Sequence, residues 1–594
     1  MMADPRFKLV TQAAALAVLS AAAGCLTLPQ TAVPECESDA DCNQSAGEVC
    51  DETVCWGAPP TGAFSAIVGP PASAQNRVPA EYREFTMPDH GWLGDLVVDI
   101  PVTVSGQLTF ICTPPTSCSD LQGATIVITR PSRIPGAPPF RSVVTVDVGP
   151  TNSAKYEFKV PRTNAAFGDE AFQVTVVPNS RDNNLVGAPP PAVLPPLRIT
   201  IDAATDVKRD IVVGGATLPT LAGRLTSATG GGLAGYRVSA RGRWAGDTVA
   251  SDVSTAVDTD ANGNYTLLLS PDLVGGVEIS ADPSVPGAGT LFAKLRSVAQ
   301  NNTNIDIQVP AGLTAPTPLN FKLVGTAGSG EVSPIAGAVV TISTEMKNPL
   351  LPSYASGIRL GSTATSNADG VARFNLIGYR EGAIINYELQ IQPPATSQFR
   401  AVFGDRFTVA DAATRQLEPR IAVRGILGRS DGTAVPNVSI TARPNADYLA
   451  SLEPDAQAFA TQLALGTATT DDSGEFVIWV DPPLVTASTY DLIFEPADNA
   501  SEPRWSVTQA VTPMPRTTSM NVGTFISPDA AHVRGRITDP TGRALGGGEL
   551  RIFRQGSTHP CSVGNTNATC VTPAVLIGRA TADDDGIVRL TLPR

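Results

Sequence analysis

The stretch VDTDANGNYTLLL, residues 257–269, contains a pattern that occurs three more times along the chain. The other copies are SNADGVARFNL from residue 366, TDDSGEFVIWV from residue 470 and ADDDGIVRLTL from residue 582. Glycine allows a positive φ angle, Asp and Asn accept hydrogen bonds from nearby backbone amides, and the alternation that follows is that of a half-buried strand. The pattern therefore predicts a turn that leads into a β-strand. We assign to these turns Asp260, Gly263, Asp369, Gly370, Asp472, Gly474, Asp585 and Gly586.

The first copy also matches the start of an EF-hand calcium loop, through Asp258, Asp260, Asn262 and Gly263. Such a loop needs a bidentate Glu at its twelfth position, and Leu269 stands there. A helix should also leave a calcium loop, whereas the residues after the glycine alternate as a strand. The sequence therefore favours a turn over a metal site, and we expect neither a metal ion nor a cofactor.

The turn pattern lies inside a larger unit, here called a block. Each block opens with a short strand that carries a glycine, and these glycines are roughly 100 to 117 residues apart (Gly106, Gly223, Gly325, Gly425 and Gly535). The first block has a weaker turn, TNSAKYEFKV from residue 151, without the glycine. Blocks 1 to 4 end in a strand near a proline, and the sequence stops at Arg594, where block 5 should begin that strand.

This order of glycine strand, turn, alternating strand and T-D-x-x-G-x-[FY] resembles the carboxypeptidase regulatory-like, or transthyretin-like, repeat over about residues 100 to 594. The resemblance implies seven-stranded antiparallel β-sandwiches with a non-catalytic, accessory or adhesive role. Blocks of about 100 residues with frequent turns independently fit such sandwiches. We predict an all-β chain: a tandem array of about five such domains after a signal peptide and a small Cys-rich segment. A helix-like insertion, ADYLASLEPDAQAFATQLAL, interrupts block 4 and is divided by Pro454.

The predicted boundaries follow from these patterns. They are a signal peptide at 1–24, a Cys-rich segment at 25–60, a linker and approach strand at 61–100, block 1 at 101–200, block 2 at 201–310, block 3 at 311–415, block 4 at 416–525 and block 5, incomplete at its C-terminus, at 526–594. The segments between blocks are short and contain proline, so we expect the array to be extended with its two ends apart.

The N-terminus has the features of an export signal. Arg6 and Lys8 precede an apolar stretch at residues 13–23, which is too short to span a bilayer. It ends in AAAGC, which resembles a bacterial lipobox, although Ala22 stands where that motif prefers Leu. The resemblance implies that Cys25 is lipidated and holds the protein in the bacterial envelope, at the outer membrane or cell surface. An ordinary secretory signal with an incidental cysteine is the alternative.

The chain has nine cysteines, and without Cys25 eight remain in local groups. An even, clustered set in an exported chain predicts disulfides. Zinc is the alternative for the first group, but its paired C-x2-C spacing is absent there. We expect Cys112 to pair with Cys118 and Cys561 with Cys570, while three pairings remain open within the first group (Cys36, Cys42, Cys50 and Cys55).

Charge and motifs argue against nucleic-acid binding and catalysis. The chain has 42 Lys and Arg against 56 Asp and Glu, without a basic run that a phosphate backbone would need. The sequence GRSDG at 428–432 matches a nucleophile elbow, but a proline-containing strand follows it in place of a helix. The three histidines (His90, His532 and His559) show no spacing typical of a catalytic or metal site. We therefore predict that the protein is not an enzyme.

The function predicted from these features is that of a lipid-anchored, extended structural or adhesive stalk. Its partners would be the membrane, through the lipid, and envelope proteins or glycans. The alternative is a carbohydrate-binding surface protein, because Trp244 and Trp505 lie in polar surroundings where they could stack on sugars. Trp479 alternates with apolar residues and is interpreted as a core or lateral contact.

Overall fold

The structure is a computed structural model of the 594-residue chain. It describes residues 36–44, 48–51, 53–57, 59–74, 76–88, 90–112, 118–134, 137–149, 151–164, 169–180, 194–215, 218–247, 249–283, 290–295, 305–309, 317–326, 332–346, 355–376, 379–380, 383–384, 386–394, 397–408, 414–463, 465–482, 488–497, 502–511, 519–555, 558–560, 569–571 and 574–594.

Strands make up nearly all of the regular structure. The segment before block 1 has a 3-10 helix (Asp39–Asp41) and strands β1 (Val49–Asp51), β2 (Val54–Trp56), β3 (Phe64–Gly69), β4 (Ala80–Phe85) and β5 (Trp92–Val97). Block 1 has β6 (Val102–Ile111), a 3-10 helix (Cys118–Asp120), β7 (Leu121–Arg130), β8 (Phe140–Asp147), β9 (Ser153–Val160), β10 (Phe172–Ser180), β11 (Leu197–Ile201), β12 (Val207–Lys208) and β13 (Ile211–Gly214). Block 2 has β14 (Thr220–Thr226), β15 (Tyr236–Trp244), β16 (Ser251–Asp252), β17 (Val257–Asp258), β18 (Asn264–Leu268), β19 (Leu273–Pro283), β20 (Thr290–Leu295) and β21 (Ile307–Gln308).

The remaining blocks follow the same plan. Block 3 has β22 (Thr317–Thr326), β23 (Val332–Pro334), β24 (Val339–Met346), β25 (Ala355–Thr365), β26 (Val371–Leu376), β27 (Tyr379–Arg380), β28 (Ala383–Ile384), β29 (Asn386–Gln392), β30 (Val402–Thr408) and β31 (Thr414–Leu417). Block 4 has β32 (Ile421–Gly428), β33 (Ser439–Pro444), α1 (Ala446–Ala450), α2 (Pro454–Gln462), β34 (Gly466–Thr469), β35 (Glu475–Val480), β36 (Ser488–Glu495), β37 (Trp505–Val511) and β38 (Ser519–Ile526). Block 5 has β39 (Ala530–Thr538), β40 (Glu549–Arg554), β41 (Thr558–Pro560), β42 (Thr569–Val571), β43 (Val575–Thr581) and β44 (Ile587–Pro593).

Block 4 shows the basic sandwich, and the predicted all-β fold is confirmed. One sheet has the order β35-β32-β38, and the other has the order β34-β33-β36-β37. In β35 the side chains of Phe476, Ile478 and Val480 are buried and their neighbours are not, as the alternation in the sequence predicts. One pair departs from a purely antiparallel arrangement, because the last strand, β38, runs parallel to the first, β32.

The first strand of blocks 1 to 3 likewise pairs in parallel with the last one: β6 with β13, β14 with β21, and β22 with β31. Blocks 2 and 3 are also joined edge to edge. Strand β20 of block 2 pairs with β25 of block 3, so their outer sheets form one nine-stranded sheet. A single cluster of buried apolar side chains runs through both blocks.

Block 5 is completed by the N-terminal part of the chain. Strand β3 pairs antiparallel with β40, β4 pairs with β3, and β5 pairs in parallel with β39. These three strands occupy the positions that β36, β37 and β38 hold in block 4. The region predicted as a linker and approach strand therefore holds three strands of a sandwich. The proline-flanked strand that the sequence of block 5 lacks, which is β36 in block 4, is supplied by Phe64–Gly69.

The core of block 5 explains why the two regions associate. Phe64, Val68 and Val98 from the N-terminal region are fully buried against Val533 and Leu592 from the C-terminal region. The C-terminal strands alone would leave this apolar surface in water, at a cost of roughly 25 cal/mol per Å². The expectation that the ends of the array lie apart was wrong, because residues 64–98 and 530–593 share one core.

Block 5 therefore lies beside block 1 as well as block 4, since β5 leads into β6 through residues 98–101. The side chain of Glu81 in β4 accepts hydrogen bonds from the hydroxyl of Ser132 (3.0 Å) and the backbone amide of Arg133 (3.0 Å) in block 1. Ile134 of block 1 also packs against Phe553 and Ala574 of block 5. Contacts between the first and last blocks are thus both polar and apolar.

The insertion in block 4 forms two short helices, α1 and α2, and Pro454 is the first residue of α2. A proline is well placed there, because the first helical position has no backbone hydrogen bond to lose. Among the described residues, none of the helices has both the length and the apolar character needed to cross a membrane.

Candidate functional site

The turn in the opening stretch is held by the carboxylate of Asp260. Its oxygens accept hydrogen bonds from the backbone amides of Asn262 (2.9 Å) and Asn264 (2.8 Å) and from the side-chain amide of Asn264 (2.9 Å). The bonds from Asn264 and the amide of Asn262 lower the pKa of the Asp260 carboxyl, against a smaller opposing effect of burial. The carboxylate of Asp260 therefore stabilises the turn in which it lies.

The other three turns use the same geometry, but with acceptors that sequence reasoning missed. Asn367 accepts from the amides of residues 369 and 371, Asp471 from those of residues 473 and 475, and Asp583 from those of residues 585 and 587. Asp369, Asp472 and Asp585 lie in the turns without this role. The spacing to the glycine was the available signal, because Asp260 lies three residues before Gly263, as the acceptor does in the other copies.

In blocks 2, 3 and 4 the residue before the acceptor has a hydroxyl that connects the turn to an earlier segment by hydrogen bonds. The hydroxyl of Thr470 accepts from the amide of Val438 (2.9 Å) and donates to the carbonyl of Val435 (2.9 Å). Thr259 and Ser366 make equivalent pairs of bonds in blocks 2 and 3. Block 5 has Ala582 at this position and so has no hydroxyl there, but it keeps the backbone bond from Gly547 to the Ala582 carbonyl that Thr259, Ser366 and Thr470 also accept in their blocks.

The turn glycines are required for two reasons. Gly263 has φ of 83°, a conformation that other residues rarely adopt, and Gly474 has φ of 74°. A β-carbon on Gly263 would also lie 2.2 Å from the carbonyl oxygen of Leu225. In block 1, whose turn lacks the glycine, Asn152 takes a positive φ of 53°. Turn formation thus accounts for the part of the motif that is shared between blocks.

The calcium interpretation is not supported by the positions of its would-be ligands. Asp258 is paired with Arg237, whose Nε lies 3.0 Å from Oδ1. Asp260 is occupied by the amides of its own turn. Leu269, at the twelfth position, is fully buried in the core.

We predict that the turns respond to loss of the acceptor but not to calcium. Asp471→Ala removes the bonds to two backbone amides and should lower the free energy of unfolding by about 1 kcal/mol, as loss of a comparable helix cap does. Addition of calcium chloride or EDTA should leave the thermal midpoint of the wild-type chain unchanged. A calcium-dependent rise of several degrees that Asp471→Ala or Asp260→Ala abolishes would contradict the turn assignment.

The first cysteine group forms two crossed disulfides, Cys36–Cys50 and Cys42–Cys55. The sulfur atoms of Cys36, Cys42 and Cys50 lie within 4.8 Å of one another, but disulfide sulfurs are not the thiolates that bind zinc. The third disulfide joins Cys112 and Cys118.

The other cysteine predictions fall where the structure gives no description. Cys25 and Cys561 lie outside the described residues, and of Cys570 only the backbone in β42 is described. Lipidation of Cys25 and a bond between Cys561 and Cys570 therefore stay predictions.

The Cys-rich segment is attached to block 5 through side chains and backbone. Trp56 lies opposite His532 in a short parallel pairing of β2 with β39, and their rings are 6.0 Å apart. Asp51 forms an ion pair with Arg534 (2.5 Å), and Glu48 pairs with Arg594. The disulfide segment therefore extends the sheet of block 5 that contains β39 and β44.

The residues considered for hydrolysis make structural contacts where the structure describes their side chains. Residues 428–432 form a hairpin turn in which Asp431 accepts from the amide (2.8 Å) and hydroxyl (2.7 Å) of Thr433. His90 is exposed, and its Nδ1 lies 3.4 Å from the amide of Trp92. His532 packs against Trp56 as described, and the side chain of His559 lies outside the described residues.

The tryptophans considered for sugar stacking are engaged in packing. Trp244 is 4% exposed, and the guanidinium of Arg198 covers its ring at 4.2 Å. Trp505 stacks on Phe494 with ring centroids 4.3 Å apart and also contacts Phe525. Trp479 is half-buried on β35. Trp244 is therefore buried away from any sugar ring, and Trp505 uses one face to stack on Phe494.

A buried ion pair within block 4, at its junction with block 3, was not found from the sequence. Arg420 is 1% exposed, and its Nη2 lies 2.9 Å from Oδ2 of Asp481. Oδ1 of Asp481 accepts from the amide of Ala401 (2.7 Å), and Arg420 donates to the carbonyl of Ser397 (3.2 Å). Burial raises the pKa of Tyr490, whose hydroxyl donates to the carbonyl of Asp481 (2.8 Å). This network fixes the junction of the two blocks.

The junction of blocks 1 and 2 has a similar arrangement nearer the surface. Nη1 of Arg198 in block 1 donates to both carboxylate oxygens of Asp247 in block 2, at 2.7 and 2.8 Å. The same guanidinium lies over Trp244, and the hydroxyl of Ser270 donates to the carbonyl of Pro196 (2.6 Å). Side chains from both sides thus connect successive blocks.

No protein-family model matches the chain, and no curated protein matches it. Three solved structures illustrate the structural matches. A streptococcal ancillary pilin is 13% identical, with 54% of this chain and 99% of that chain covered at a TM-score of 0.16. The shaft pilin of Lactobacillus rhamnosus GG is 11% identical, with 36% and 97% covered at 0.18.

Two B repeat units of the collagen-binding protein of Staphylococcus aureus are 11% identical, with 70% of this chain and 94% of that chain covered at a TM-score of 0.13. At such low identities and TM-scores, none of the three matches says what this chain does.

Proposed function

We propose that the chain is a non-catalytic structural or adhesive protein of the bacterial envelope. The observation that carries the proposal is that the residues repeated between blocks hold turns. Asp260 and Asp471 accept hydrogen bonds from backbone amides of the turns in which they lie. The hydroxyl of Thr470 accepts from the amide of Val438, next to strand β33, and so connects the turn to that strand. A repeat whose shared residues maintain the sandwich provides a scaffold, and the surfaces that differ between blocks are then available for partners.

A lipid on Cys25 would hold this scaffold at the membrane. The chain has an apolar stretch before AAAGC, and three disulfides lie within the described residues. Disulfides persist in exported proteins and are rare in the cytosol. Because the disulfide segment that follows Cys25 in sequence is bound to block 5, block 5 would be the anchored part of the scaffold. Envelope proteins or glycans would then be the partners of the remaining blocks.

We predict that Cys25→Ser releases the protein from the membrane fraction into the culture supernatant. The substitution removes the acceptor of the acyl chain while leaving the apolar export segment unchanged. Acyl labelling and membrane fractionation measure the result, and Cys112→Ser serves as the control that removes a cysteine without affecting the anchor. Unchanged membrane fractionation of Cys25→Ser would contradict the anchoring proposal.

A further inference from the structure

The cleft between the outer sheets of blocks 4 and 5 is lined by four arginines, although the chain as a whole has a net charge of −14. Arg443 and Arg504 come from block 4, and Arg551 and Arg579 come from block 5. The cleft has a volume of about 330 Å³, and Pro138 of block 1 lies at its edge. Ligand pockets in proteins commonly have volumes of about 300 to 1,000 Å³.

Strand register places two of these arginines in an unfavourable position. Arg551 in β40 and Arg579 in β43 lie directly opposite each other. Like charges at opposed positions of neighbouring strands destabilise a sheet. One carboxylate, Glu549, compensates both: it binds Arg551 through two bonds (2.8 and 2.9 Å) and Arg579 through one (2.5 Å). Two guanidinium groups therefore share a single counter-charge.

Each of the two arginines from block 4 lies near one carboxylate, but both retain donors that these carboxylates do not use. Arg504 pairs with Glu495 (2.5 Å), and its Nε is buried with no hydrogen-bond partner among the described residues. Arg443 approaches Asp491 only to 3.7 Å. Burial lowers the pKa of Arg504, and the charges of Arg443 and Arg579 lower it further against the opposing effect of Glu495.

From this arrangement we propose that the cleft binds an oxyanion group, a carboxylate or sulfate on a small ligand or on an acidic polysaccharide. Guanidinium groups present planar pairs of donors that match carboxylate and sulfate oxygens. A bound oxyanion would supply the counter-charge that the opposed pair Arg551 and Arg579 lacks and would accept from the donors that face the cleft. The proposal goes beyond the envelope role and does not depend on lipidation of Cys25. A result that contradicts membrane anchoring would therefore not contradict anion binding by the cleft.

The test is calorimetric titration of the purified chain that begins at residue 26, at constant ionic strength. The probes are sodium sulfate and trigalacturonic acid, with the neutral trisaccharide maltotriose as a control. We expect saturable binding of at least one anion at one site per chain, and the responding probe distinguishes a free anion from an acidic sugar. Absence of saturable binding of both anions, or equal binding of maltotriose, would overturn the proposal.

Variants identify the site. Arg551→Gln combined with Arg579→Gln should weaken anion binding by at least tenfold, and Arg443→Gln, on the block 4 side, should weaken it without altering the pair that shares Glu549. Arg415→Gln is the matched control, because Arg415 forms a half-buried ion pair with Asp405 in block 3. Binding that persists in both cleft variants, or that Arg415→Gln reduces equally, would place the anion elsewhere and contradict the proposal.

Discussion

Removal of the three N-terminal strands is expected to unfold block 5, at the opposite end of the sequence. A chain that begins at residue 99 loses β3, β4 and β5. It also loses Ala66 and five larger buried apolar side chains of the block 5 core (Phe64, Val68, Met87, Leu96 and Val98). Each such side chain contributes roughly 1.5 to 3 kcal/mol. The loss of about 7 to 15 kcal/mol equals the whole stability of a typical domain, about 5 to 15 kcal/mol.

Hydrogen exchange with mass spectrometry measures this effect block by block. Peptides from β39 and β44 should lose protection in the chain that begins at residue 99, while peptides from β35 and β36 in block 4 should keep it. A chain that begins at residue 61 is the matched control, because it loses the disulfide segment but retains all three strands. Full protection of β39 and β44 without residues 61–98 would show that block 5 folds from its C-terminal strands alone.

The second large loss of stability is expected from breaking the buried ion pair of Arg420 and Asp481 in block 4, at its junction with block 3. Asp481→Asn leaves the guanidinium of Arg420 buried without its counter-charge, and Arg420 is 1% exposed. Removing one partner of a buried pair costs about 3 to 5 kcal/mol, since the other charge remains desolvated. We therefore expect the urea midpoint of block 4 to fall and hydrogen exchange at the junction with block 3 to accelerate.

Two controls separate the buried charge from a general effect of substitution. Arg420→Met combined with Asp481→Leu removes both charges and should recover most of the lost stability. Asp252→Asn breaks an exposed pair with Arg241, whose atoms are 3.6 Å apart, and should change stability by less than about 1 kcal/mol. If Asp481→Asn is no more destabilising than Asp252→Asn, the buried network does not stabilise the junction.

Local patterns predicted most of the fold. The period-two alternation in FVIWV gives the buried and exposed faces of β35, and the Asp-Gly and Asn-Gly turns occur where the sequence places them. These features depend on neighbours in the chain and on backbone conformation, which a sequence states directly. The helical insertion was also visible, because its proline marks the start of α2.

The partner of a strand was much harder to predict. The residues FSAIVGPP at 64–71 are as apolar as the final strands of blocks 1 to 4 and also end near proline. Nothing local states that they pair with Glu549–Arg554, since pairing depends on contacts between distant parts of the chain. The available signal was that block 5 lacks the proline-flanked strand that corresponds to β36 of block 4. This lack was interpreted as an incomplete domain.

The polar contacts were missed for a related reason. Arg420 and Asp481 are unremarkable in sequence, and their burial results from how blocks 3 and 4 meet. The alternative of sugar stacking rested on the polar neighbours of Trp244, which suggested an exposed ring, whereas the ring is 4% exposed. The guanidinium that covers its ring comes from Arg198, in the preceding block.

The central claim is that the N-terminal strands complete block 5 within the same molecule, and an engineered disulfide between Asp95→Cys and Arg536→Cys tests it most directly. These residues are register partners in β5 and β39, and neighbouring strands lie about 4.8 Å apart, within the reach of a disulfide. Asp95→Cys with Arg424→Cys, at the corresponding strand of block 4, is the control. We expect peptide mapping to find the 95–536 link in monomeric chain and no 95–424 link. No 95–536 link in folded chain, or a link found only between two copies, would contradict the account.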